Sequence, residues 1–149
     1  MTDLSKGIIE INGVHIDKNT TPEDFQAKLT ETLCYAHKFK DGTYMFQIKN
    51  VVIENREFLA TFRFEYNSNN QLRLEKIHLL SVEYKEKSAK ELLKEDKIWL
   101  ESILGSPNIN INREADYELD NVYIQPIFLP CDGRNLLQDE EYILIEFKK

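Results

Sequence analysis

With 149 residues, 42% of them hydrophobic, and only five Gly and four Pro, the chain can bury about two-thirds of its unfolded surface around one core, which excludes a fibrous or disordered class. Its formal charge of −7 is uneven, with 16 acids against 15 bases over residues 1–100 and 10 against 4 over residues 101–149. Affinity for phosphate comes from Lys and Arg, so nucleic acid and anionic membrane are disfavoured as partners and a basic protein is favoured.

The N-terminus, Met1 to Lys6, has no apolar signal core, and no apolar run approaches the length of a bilayer span. The expectation is a cytoplasmic protein with no membrane segment. The first strand is written in Ile8 to Ile16, β-branched and partly alternating, with Asn12-Gly13 as a bend or bulge. Thr21-Pro22-Glu23-Asp24 then supplies an N-cap hydroxyl, a proline at the first helical position and acids in the first turn. Phe25, Leu29 and Leu33 share one face, so a helix is expected from about Pro22 to Leu33.

Tyr44, Phe46 and Ile48 alternate with Met45, Gln47 and Lys49, and Phe58, Ala60, Phe62, Phe64 and Tyr66 alternate with mostly polar neighbours. These read as half-buried antiparallel strands. The tract Asn67 to Gln71 is a turn, and a third strand starts at Leu72. Within it Leu72 and Leu74 share one parity and Ile77 and Leu79 the other, which requires a β-bulge near Glu75-Lys76.

Ser88-Ala89-Lys90-Glu91 is a capping box. It opens a helix whose Leu92, Leu93, Trp99, Leu100, Ile103 and Leu104 form a core-facing stripe ended by Gly105 and Pro107. Beyond Pro107 the even positions to Asp120 are all polar, including Glu114, Asp116, Glu118 and Asp120. The odd positions are apolar apart from Arg113, so one strand or a bent pair has one wet, acidic face. Val122 to Leu129 holds Pro126 and suits an edge, whereas Tyr142 to Phe147 is near-continuously apolar and suits a central position.

The expected architecture is a single α+β domain over residues 1–149, an antiparallel β-sheet with two helices packed on one face, in the order β-αβββ-αβββ. Helix plus three strands occurs twice, which divides the chain into pseudo-repeats 17–83 and 84–149.

The sequence holds no phosphate loop, dinucleotide glycine pattern, nucleophile elbow or His-Glu-x-x-His helix, so the expectation is a non-enzyme without cofactor or metal. His15, His37 and His78 lie in separate segments and read as ordinary surface or core groups. The carboxylates of Asp116-Tyr117-Glu118-Leu119-Asp120 fail as a calcium loop, because the sixth position is Asn121 and the twelfth Ile127. Cys34 and Cys131, with neither CxxC spacing nor a nearby Cys/His cluster, read as two buried free thiols or as one disulfide. The partner-binding candidates are Glu114, Asp116, Tyr117, Glu118, Asp120 and Tyr123, an acidic strand face flanked by two tyrosines.

The run of helix, Leu104-Gly105-Ser106-Pro107 and strand hairpin resembles the repeat of beta-lactamase inhibitory proteins and of small outer-membrane assembly lipoproteins. The small, acidic α+β character also resembles bacterial immunity proteins. The resemblance implies a non-enzymatic protein-binding module, an immunity-type inhibitor that neutralises a toxin or enzyme by covering a basic surface. It assigns no residue a role. The alternative function is a small-ligand-binding or enzymatic α+β domain, with a cleft that holds a histidine beside a carboxylate.

Overall fold

The computed structural model describes residues 1–108 and 116–148. A hairpin of β1 (Ile9–Ile11) and β2 (Val14–Ile16) opens the chain, followed by α1 (Pro22–Leu29) and by four strands, β3 (Leu33–Lys38), β4 (Tyr44–Ile53), β5 (Arg56–Tyr66) and β6 (Leu72–Ser81). The helix α2 (Ala89–Leu104) leads to β7 (Tyr117–Glu118), β8 (Val122–Leu129) and β9 (Glu140–Phe147). Seven strands form one sheet in the order β3-β4-β5-β6-β9-β8-β7, and every pairing in it is antiparallel. The fold is α+β, with both helices on one face of this sheet.

Strand parity decides what that inner face buries. Phe46, Phe62, Ile77, Ile145, Ile124 and Tyr117 lie opposite one another across six strands, and all are buried. Helix α1 drives Phe25 into this surface, where its ring lies 5.0 Å from Phe46, 4.9 Å from Phe62 and 5.4 Å from Phe64. Four aromatic rings at such offsets gain contact energy beyond the area they bury. Leu100 of α2 and Ile9, Ile11 and Ile16 of the hairpin complete the core.

Local chemistry accounts for the element ends. Thr21 caps α1 by accepting the Asp24 N–H, and Ser88 caps α2 by accepting the Glu91 N–H at 3.2 Å. The bulge required near Glu75 is present: Arg63 pairs with Lys76 and Phe64 with Leu74, so Glu75 is the extra residue that reverses the strand's parity. The Asn67 carboxamide oxygen accepts the N–H groups of Asn69 and Gln71 and closes the β5–β6 turn, with Asn70 at φ 58°.

Three expectations are corrected. Residues Ile8 to Ile16 form a two-stranded hairpin, because Asn12 and Gly13 both adopt positive φ, the geometry of a two-residue reversal. Helix α1 ends at Leu29, a single 3-10 turn follows, and Leu33 already belongs to β3. That strand carries no alternation because it is the sheet's edge, with Leu33 half-buried and the other five residues exposed. Cys34 and Cys131 are free but exposed, since Cys34 sits on this edge and Cys131 in the loop before β9.

Candidate functional site

The face of the sheet opposite the main core carries the other parity, and its side chains fall into rows across the strands. One row runs His37, Met45, Arg63, Lys76, Glu146, Tyr123 and Glu118. The next runs Tyr35, Gln47, Thr61, His78, Leu144 and Gln125. Beyond it Leu59 pairs with Leu80, and Ile127 pairs with Tyr142. Polarity therefore falls along the strands, from a charged row through a mixed one to an apolar one.

The charged row neutralises itself. Lys76 lies 3.8 Å from Glu146, Arg63 3.4 Å from Glu65, and Lys148 3.3 Å from Glu118, with its ammonium 4.8 Å from the centre of the Tyr123 ring. Pairs of this kind at a wet surface add little stability and leave little net field.

The apolar end is concave. A cleft of about 580 Å³ lies there, floored by Gln47, Leu59, Thr61, His78, Leu80 and Tyr142 of the sheet. Its walls come from Tyr84, the start of α2 at Ser88, Ala89 and Leu92, and the segment Gln138 to Glu141. The chain leaves β6 through the 3-10 turn Val82–Lys85 and enters α2, and this turn carries Tyr84 to the cleft. Gln47 Nε2 donates to Thr61 Oγ1 at 3.1 Å, which fixes both polar floor groups. The imidazole of His78 stacks on Tyr142 at 4.6 Å between centres and 5° between planes.

Charge in the cleft is lopsided. Burial first, then the positive charges of Lys76 and Arg63, pushes His78 below its ordinary value and favours the neutral ring. Lys87, the cleft's one lysine, is gripped by Glu83 at 2.5 Å and Glu95 at 2.6 Å, and its pKa is held above the ordinary range by those hydrogen bonds, Glu83 first. Asp139 accepts the Cys131 N–H at 2.7 Å, and among the described residues neither Asp139 nor Glu140 has an ion-pair partner. Burial, and then the charge of Glu140, raises the Tyr142 phenol.

A buried polar contact joins α2 to the sheet. Asp96 of α2 is fully buried, with Arg56 Nη2 2.7 Å from its Oδ1, and the Arg56 guanidinium lies over the rings of Phe58 and Trp99. Burial raises the Asp96 pKa, while a hydrogen bond with Glu141 and the charge of Arg56 oppose that rise. The contact ties α2 to β5 and, through Glu141, to β9.

The acidic segment looks different. Tyr117 is buried and its hydroxyl donates to the Gly105 carbonyl at 2.8 Å, so it locks the end of α2 onto β7. Asp116 is also buried. Neither side chain is at the surface of the chain, unlike the exposed face expected of them. Glu118, Asp120 and Tyr123 are exposed, with Glu118 and Tyr123 occupied by Lys148. Glu114 lies outside the described residues.

The sequence allowed a cleft with a histidine beside a carboxylate but did not place it on this face of the sheet. The signal for that place was present in the outward positions of the strands, where Leu59, Leu80, Tyr142 and Leu144 stand at the parity that elsewhere is polar. His15 meets an acid, Asp17 at 2.8 Å, but on the surface of the hairpin beside a depression of only about 50 Å³. Among the described residues no group of three or more His, Cys, Asp or Glu is placed to hold a metal ion, and no helix is long and apolar enough to cross a membrane. Comparisons with protein-family models, curated proteins and solved structures returned no match.

Proposed function

We propose that this chain is a non-enzymatic protein-binding module whose recognition surface is the open sheet face around the cleft, and that its partner is basic. The observation that carries the reading is the combination of a floor in which Leu59, Leu80 and Tyr142 stand beside polar groups with a rim whose Asp139 and Glu140 have no ion-pair partner among the described residues. Contacts of that composition supply both desolvated area and charge selection. As an immunity-type inhibitor it would work in the cytoplasm and cover the basic working surface of a toxin or enzyme. The net charge of −7 would speed its encounter with such a partner.

The test is capture from the native cell with the wild-type chain and with the double variant Leu80→Lys/Glu140→Lys, followed by purification of the captured protein. The reading expects a basic protein that binds the wild type with an affinity that falls as salt rises, and binds the variant at least about tenfold more weakly. Equal binding of both forms would remove the cleft from the account.

A small-ligand site is the second reading, favoured by the cleft's volume, which lies within the roughly 300–1,000 Å³ of small-molecule pockets. Calorimetry with a panel of small aromatic and cationic compounds discriminates the two. Micromolar binding of one compound without any protein partner would favour the ligand site.

A further inference from the structure

We infer that the cleft is an acceptor for a guanidinium group, and that its occupant is an arginine side chain of the basic partner. The inference rests on the protein-binding reading and names the group that reading leaves open. Tyr84 and Tyr142 stand in the cleft wall and floor, and the imidazole of His78, 4.6 Å from Tyr142 and parallel to it within 5°, covers one face of that ring and fixes its plane. The opposite face of a ring fixed in this way attracts a cation through its quadrupole.

Asp139 and Glu140 supply the negative charge. Glu140 pairs with Leu129 at the start of β9 and shares the outward parity of Tyr142, so carboxylate and ring stand on the same side of one strand. The Lys87 ammonium does not cancel them, because Glu83 and Glu95 already hold it.

The shape and wetness of the site select guanidinium over ammonium. Leu59, Leu80, Ala89 and Leu92 make much of the lining apolar. A lysine ammonium is compact and strongly hydrated, and would lose water against these groups. Guanidinium is planar, weakly hydrated and able to stack on an aromatic ring while its edge donates to a carboxylate.

The experiment titrates the full chain with N-acetyl-arginine methylamide, and with the citrulline and lysine counterparts, while amide and aromatic shifts are followed by NMR. The arginine compound is expected to bind weakly, with shifts centred on the Tyr142 and Tyr84 rings and residues 138–142. The neutral citrulline compound and the lysine compound should each bind at least about fivefold more weakly. Glu140→Gln is an exposed change that leaves the fold intact, and should weaken the arginine compound by about fivefold. Tyr142→Leu is the independent check on the stacking face and should weaken it as well.

Equal binding of the three compounds, or arginine binding unaltered in both variants, overturns the guanidinium assignment. If the purified partner still binds wild type tightly in that case, the protein-binding reading stands and only this inference falls. If the arginine compound binds at the cleft as expected but the partner does not compete with it, the site accepts free guanidinium compounds and the partner assignment falls.

Discussion

His78 shows how one residue joins stability to the candidate site. Burial and two nearby cations favour its neutral form in the fold, so its folded pKa lies below the 6.5 of the unfolded chain. Between those values the unfolded chain binds more protons, so the stability His78 contributes is present above about pH 6.5 and is lost as the pH falls beneath that value. Urea midpoints compared at about pH 7.5 and about pH 5.5 are expected to drop more for wild type than for His78→Gln. Asp96 acts with the opposite sign, because its folded pKa is raised from 3.8. The difference between wild type and variant isolates the histidine.

The Arg56–Asp96 contact gives a second residue-scale expectation. Asp96→Ala leaves a guanidinium whose side chain is 16% exposed with Glu95, 3.9 Å away, as its remaining ion-pair partner among the described residues. The cost is expected to be about 2 kcal/mol in urea unfolding, with partial recovery when Arg56→Met is added.

At the scale of elements, the end of α2 that walls the cleft depends on its cap. Ser88→Ala removes the acceptor for the Glu91 N–H and is expected to cost about 1 kcal/mol, measured as a shift in the urea midpoint without a change in slope. The N-terminal segment is fixed by geometry. Gly7 has φ 71°, and a Cβ there would stand 2.7 Å from Val122 Cγ1 and 3.2 Å from the Phe147 ring. Gly7→Ala is therefore expected to destabilise by about 2 kcal/mol through backbone strain and steric overlap together.

These elements also mark what could be read from sequence. Helix α2 was legible because Ser88, Glu91 and the leucines state its start and buried face at once. The bulge at Glu75 was legible because the hydrophobic parity of β6 breaks there. Strand β3 was not, since an edge strand with five exposed residues has no periodicity to show. A second bulge, at Lys49-Asn50 opposite Leu59, moves the buried parity of β4 from Phe46 and Ile48 to Val51 and Ile53, a break that the exposed Val52 blurs in the sequence.

At the scale of the whole molecule, the charge asymmetry of the sequence does not translate into one exposed acidic strand face. The alternation around Asp116 to Asp120 describes a strand for only two residues, and it places Tyr117 inward and Glu118 outward. Asp116 departs from it, since its side chain is buried although its parity is that of the exposed Glu118, and no pattern in the local sequence marks that burial. The cleft's position was illegible for a related reason. Its members come from β4, β5, β6, β9, the 3-10 turn, α2 and the β8–β9 loop, and only the pairing of β6 with β9 brings them together.

The central claim is that recognition happens on the open sheet face around the cleft and not along the acidic segment. Cross-saturation NMR on the complex with the purified partner tests it most directly, because saturation passes from the partner only to protons in contact with it. The account expects signal loss at Leu59, His78, Leu80, Tyr84 and Tyr142, with the resonances of Asp120, Asn121 and Val122 unchanged. Loss confined to the segment from Glu118 to Tyr123, with the cleft residues untouched, would contradict it.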